Sequence, residues 1–176
     1  MAGPDSPLEQ AKALALRVLA FHARTGAQLR RRLGQAGHAP EADEVLAWLA
    51  RLGYLDDAGW ARATARSLTR PGRLGPRAAE RRLAAAGIAP EEARAAVAGA
   101  LAQAVAPGEE PAEVALCRAL AGRRTGGRPA AGLPDRDRAR LARFLLGRGF
   151  SPEAVQRVVG LRADRDRWEE GGEGGG

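Results

Sequence analysis

One short string, Leu-x-x-x-Gly-x-x-Pro-Glu, stands in this chain three times. Leu33, Gly37, Pro40 and Glu41 recur 50 residues later as Leu83, Gly87, Pro90 and Glu91, and 62 residues after that as Leu145, Gly149, Pro152 and Glu153. Each part has a physical role. The Leu is an inward residue near the end of a helix, and the Gly takes the left-handed conformation that stops it. Pro fits the first turn of the next helix, where its missing N–H costs nothing, and Glu complements the positive end of that helix. Self-similarity at this period marks a repeat architecture in which neighbouring units stack. The expected fold is all-α: three tandem three-helix repeats forming an elongated, curved array.

Other helix signals fit between the strings. Ser6, Pro7 and Glu9 form a capping box with Pro at the first helical position, and Thr25 with Gln28 forms a second box. Leu14, Val18 and Phe21 are spaced for one face of the first helix, Leu29 and Leu33 for the second, and Val45, Leu49 and Leu52 for the third. Residues 57–70 read as a helix with Trp60, Thr64 and Ser67 or Leu68 on one side. Gly75 and Pro76 start the next, with Ala79 and Leu83 inward, and Ala93, Val97 and Leu101 line the one after. The third round reads as a helix over 109–121, a flexible Gly/Pro/Arg loop over 122–134, a helix over 137–147 and a last helix holding Val155, Val158 and Val159. The predicted organisation is an N-terminal extension (1–7), repeats over 8–55, 56–105 and 106–161, and a disordered glycine-rich tail over 162–176.

Composition excludes several classes. Only 4% of residues are aromatic, so the core must come from Leu, Val and Ala. One cysteine, Cys117, forms no internal disulfide, and with His22 and His38 it makes no zinc site; it reads as a small apolar helix residue. No signal peptide or membrane span is visible, so the expected location is the cytoplasm. No catalytic constellation appears. The glycines near 122–127 lack the Gly-Lys-Ser/Thr ending of a phosphate loop, and paired carboxylates such as Asp56–Asp57 sit at helix starts, where capping explains them. The expectation is a non-enzyme without cofactor or metal.

Net charge is +7, and every basic residue but Lys12 is Arg. The excess lies in the middle and third parts, as a surface facing a polyanion requires. Arg31, Arg81 and Arg143 occupy equivalent positions, each two residues before the inward Leu, so each points outward. Arg30, Arg32, Arg77, Arg82 and Arg140 lie near them. These eight are the candidate binding residues; a solvated charged face is the other explanation of the same pattern.

The strings around these positions resemble a known family. Gly53, Tyr54, Leu55, Asp56 and Asp57, followed by Trp60 and Ala61, resemble the junction between first and second repeats of the RecX family of recombinase regulators. Gly75 and Pro76 with Leu83, Gly87 and Ile88 resemble that family's second repeat. The run from Ala27 to Leu33 resembles its first, and Arg143, Phe144 and Leu145 with Arg148, Gly149 and Phe150 its third. Trp60 stands where Phe is usual, and Ala79 where the family has a branched apolar residue, which predicts looser packing in the middle unit. Tyr54 and Leu55 are expected to pack between units, and Asp56 or Asp57 to cap the next helix.

The resemblance implies a regulatory protein that binds RecA, or the filament RecA forms on single-stranded DNA, and mainly inhibits its ATPase and strand exchange. Weak direct DNA binding, no membrane contact and a monomeric state complete the expectation. Two other functions suit the residues alone: a freestanding helix-turn-helix-like DNA-binding protein, whose three-helix units have basic second helices, and a helical scaffold for another protein.

Overall fold

A computed structural model of the chain describes residues 6–104 and 110–160. Among them are nine α-helices and no strand: α1 (Pro7–Phe21), α2 (Gly26–Gln35), α3 (Ala42–Arg51), α4 (Asp57–Leu68), α5 (Pro76–Ala85), α6 (Pro90–Ala104), α7 (Ala112–Thr125), α8 (Asp135–Gly147) and α9 (Pro152–Val159), with a 3-10 turn at Ala130–Gly132. The first five residues, the region 105–109 and the tail from 161 onward lie outside the described residues, and with them most of the N-terminal extension, the expected helix start at 109 and the predicted disorder of 162–176.

Local chemistry places the ends. Ser6 accepts the Glu9 N–H at 3.2 Å, while the Glu9 carboxylate turns to Lys12 at 2.9 Å, so only half of that capping box closes. The Thr25–Gln28 box closes in both directions. Gly37, Gly87 and Gly149 have φ of +88°, +90° and +89°, a conformation that a side chain disfavours. Pro90 and Pro152 begin α6 and α9 as the repeated string predicts, but α3 begins at Ala42, two residues after Pro40.

The helices bury three separate cores, not one. Ala11, Ala15, Leu29, Leu33, Ala42, Val45 and Leu49 form the first. Ala61, Ala65, Ala79, Leu83, Ile88, Ala93 and Val97 belong to the second. The third is larger and includes Leu116, Cys117, Leu141, Leu145, Phe150, Val155 and Val159. Leu101, half-buried near the end of α6, packs against both the second and the third. Leu33, Leu83 and Leu145 are each 0% exposed, the fixed point of each unit. Truncating a buried leucine to alanine costs about 2–5 kcal/mol.

Several expected faces are rotated. In α1 the innermost residues are Ala11 and Ala15, both fully buried, whereas Phe21 is 76% exposed. In α4 the inner stripe is Ala61 and Ala65, with Trp60, Thr64 and Leu68 half-buried at its sides. Leu52 is exposed because α3 ends at Arg51 and Leu52 is its cap. The fully buried Ala79 is part of a close helix approach, matched by the small residues Ala61 and Ala65 of α4. The segment 122–134 is not loop throughout. Helix α7 runs on through Gly122 to Thr125 and ends on left-handed Gly126, and Ala130 and Leu133 pack on the third core.

Candidate functional site

Two features recur from unit to unit: a joint that sets one unit against the next, and an outward arginine on each second helix.

The joint places the start of one unit's second helix against the end of the next unit's second helix. At the first joint the fully buried Thr25 hydroxyl donates to the Ala86 carbonyl at 2.6 Å. At the second joint the Gly75 N–H donates to the Arg148 carbonyl at 2.9 Å. Thr25 and Gly75 are 50 residues apart, and Ala86 and Arg148 are 62 apart, which are the intervals of the repeated string. The same relation is therefore built twice with different donors. Glycine allows both approaches. A Cβ on Gly87 would overlap the Ala27 methyl, and one on Gly75 would lie 2.5 Å from the Gly149 carbonyl carbon and the Phe150 nitrogen.

The free N–H groups at the helix starts are met differently. Gly26 donates to both Asp57 oxygens, at 2.9 and 3.2 Å, so the first residue of α4 serves the preceding unit's α2. Pro76 has no N–H to satisfy, and the next residue, Arg77, donates its backbone N–H to the Gly149 carbonyl at 3.1 Å. The junction string has a divided role. Asp56 caps α4 by accepting the Gly59 N–H at 2.7 Å, and the Trp60 indole donates to the Ala23 carbonyl at 3.2 Å. Leu55 packs on the first core, but Tyr54 is 59% exposed and not held between units. Sequence reasoning missed Thr25 as a joint residue. It likewise missed Glu113, which caps α9 from another helix by accepting the Ser151 N–H at 2.7 Å and its hydroxyl at 3.0 Å.

All eight candidate arginines are exposed. Arg31, Arg81 and Arg143 each stand two residues before a fully buried leucine, about 200° around the helix from it. Arg30 is engaged with Asp43, and Arg140 lies 3.9 Å from Asp137. Arg31, Arg32, Arg77, Arg81, Arg82 and Arg143 have no carboxylate partner among the described residues. An unpaired guanidinium keeps its planar fork of donors available for phosphate or carboxylate. Among the described residues no group of three His, Cys, Asp or Glu side chains could hold a metal ion. Burial, with the Glu113 carboxylate adding to it and Arg118 opposing, pushes the Cys117 thiol up to about 12, so it stays protonated near neutral pH. No helix among the described residues is long and apolar enough to cross a membrane.

Three helical units, each with its own core, joined by one repeated contact and presenting basic second helices, define a helical repeat protein. Residues 11–49 match the family model "RecX, first three-helix domain", and residues 112–159 match "RecX, third three-helix domain". The regulatory protein RecX of Acidithiobacillus ferrooxidans is 37% identical over 155 residues, 88% of this chain and 91% of that protein. The regulatory protein RecX of Thermus thermophilus is 36% identical over 142 residues, 80% and 84% of the two chains. The chain belongs to the RecX family of regulatory proteins. The crystal structure of RecX from Lactobacillus salivarius shares its fold, with a TM-score of 0.69 at 19% identity over 88% of this chain and 95% of that one.

Proposed function

We propose that this chain is a non-enzymatic, cytoplasmic regulator of a RecA-type recombinase, binding the recombinase or its single-stranded DNA filament and mainly inhibiting ATP hydrolysis and strand exchange. The observation that carries this reading is the set of unpaired, exposed arginines at one repeated position, Arg31, Arg81 and Arg143, on units related by a repeated joint. A regular joint repeats an outward position along an array. A filament of protein on nucleic acid offers a matching series of anionic groups, phosphates above all. In this reading Arg30, Arg32, Arg77, Arg82 and Arg140 belong to the same surface, and the chain acts as a monomer with weak DNA affinity of its own.

The test is ATP hydrolysis by purified recombinase on single-stranded DNA, titrated with this chain. Suppression supports the reading. Suppression at sub-stoichiometric amounts marks capped filament ends, and suppression only near full coverage marks coating along the groove. Unchanged hydrolysis, with tight sequence-selective binding to duplex instead, would replace the regulator with a freestanding DNA-binding protein; a salt slope of about −0.9 per phosphate contact would then count the contacts.

A further inference from the structure

Folding leaves one large hydrophobic side chain conspicuously outside. Phe21, the last residue of α1, is 76% exposed, more than any other large hydrophobic among the described residues. It lines a cleft of about 460 Å³ between the end of α1 and the outer face of α2, together with Val18, Arg24, Gln28, Arg31 and Arg32. No carboxylate lines this cleft, and none pairs with Arg24, Arg31 or Arg32 among the described residues. An exposed aromatic face therefore stands beside three uncompensated guanidiniums.

The third unit shows that this combination is not a requirement of the fold. The equivalent groove, between α7 and α8, is about 300 Å³ and uses the same helix positions: Arg140 corresponds to Gln28, and Phe144 to Arg32. There one arginine has a carboxylate beside it and the ring is covered by cations, although Arg128 also lines the groove with no carboxylate partner among the described residues. Asp137 lies 3.9 Å from Arg140, and the Arg124 and Arg148 guanidiniums lie over the Phe144 ring, 5.2 and 5.1 Å from its centre. The first unit has the same components without their internal partners. Its cleft is of the size that takes a small-molecule-sized group, not a duplex.

A ligand that meets both components carries a planar ring next to an anionic group, and a nucleotide of an unpaired strand is such a ligand. A base in a duplex has its faces covered, whereas an unpaired base offers one for stacking. We infer that the cleft between α1 and α2 binds a nucleotide of a single strand, the base stacking on Phe21 and the adjoining phosphates held by Arg24, Arg31 and Arg32. The inference rests on the proposed function only through Arg31 and Arg32, which the two share, and it concerns binding by this chain alone.

The test therefore omits the recombinase. Fluorescence anisotropy of the full chain is measured with labelled oligothymidylate of about 16 nucleotides, near the upper site size of one strand-binding fold, with an abasic strand of the same length, and with the matching oligouridylate. Wild type is expected to bind the strands with bases more tightly than the abasic one. Phe21→Ala is expected to lose roughly 5- to 150-fold on the strands with bases, the range of one stacked base, and to leave the abasic affinity unchanged. Phe21→Tyr is expected to restore the difference. Equal loss on thymidylate and uridylate marks a site for either nucleic acid, and loss on thymidylate alone marks one for DNA. Wild type that does not distinguish strands with bases from the abasic strand, or Phe21→Ala that weakens all strands alike, overturns the inference. Since Phe21 is exposed, the variant is expected to fold, which its circular dichroism checks. Suppression of recombinase hydrolysis that persists while base discrimination is absent removes the stacking site and leaves the regulator reading standing.

Discussion

Substituting alanine for Gly37, Gly87 or Gly149 separates the cost of a backbone conformation from the cost of breaking a joint. The three residues have nearly the same φ, +88°, +90° and +89°, and each follows the cap of its unit's second helix. They differ in surroundings. A methyl on Gly37 meets nothing within 4 Å, one on Gly87 overlaps the Ala27 methyl, and one on Gly149 overlaps the Ala78 backbone nitrogen and lies 2.5 Å from its Cβ. The left-handed conformation costs a side chain about 1–2 kcal/mol, and that is the expected loss for Gly37→Ala. At Gly87 and Gly149 a steric cost of about 1–3 kcal/mol adds to it, for an expected total of roughly 2–5 kcal/mol. Urea denaturation followed by circular dichroism measures all three, with broader transitions expected where units uncouple. Ala27→Gly sharpens the test, because it removes the one side chain that Gly87→Ala strikes. In a double-mutant cycle the two changes should couple favourably by about 1 kcal/mol or more. Equal losses at all three glycines, or no coupling between positions 27 and 87, would refute the joint as described.

Other changes probe the same structure. Asp57→Ala removes the carboxylate that accepts the Gly26 N–H, and should cost about 1–2 kcal/mol in urea denaturation; Asp57→Asn should recover part of it. Glu113→Ala leaves the Ser151 N–H without its acceptor and should destabilise the third unit by about 1–3 kcal/mol, seen as faster hydrogen exchange in α9. The native Cys117 thiol should react with a thiol reagent only as the chain unfolds. Its folded pKa, about 12, lies above the ordinary value of 9.0, so above pH 9 the unfolded chain binds fewer protons than the folded one. The resulting contribution makes stability fall from pH 9 toward 12, and Cys117→Ala should flatten that fall.

The repeated string made the architecture legible because each of its residues has a local cause: a left-handed glycine, a first-turn proline and a leucine at helical spacing act within a few residues. The faces of α1 and α4 were harder to read. In a chain this rich in alanine, periodicity draws the eye to the larger residues Phe21 and Trp60, yet Ala11, Ala15, Ala61 and Ala65 occupy the inside, because closely packed helices exclude large side chains. The joint was hidden for another reason. The Thr25 bond to Ala86 spans 61 residues, and the Glu113 bonds to Ser151 span 38, so no local pattern announces them. One signal was available: Thr25 and Gly75 share a phase in the repeat, and both immediately precede a second helix. The outward direction of Arg31, Arg81 and Arg143 followed from their spacing to buried leucines, whereas the pairing of Arg30 with Asp43 depends on how α2 meets α3.

The most direct measurement of the proposed role is ATP hydrolysis by recombinase on single-stranded DNA, compared between wild type and the chain carrying Arg31→Gln, Arg81→Gln and Arg143→Gln together. These side chains are exposed and unpaired, so folding should be preserved, with surface substitutions of this kind usually costing under about 0.5 kcal/mol each. The expected result is strong suppression by wild type and little by the triple variant, with the difference narrowing as salt rises. Full suppression by a folded triple variant would contradict the arginine surface, and hydrolysis untouched by either protein would contradict the regulator itself.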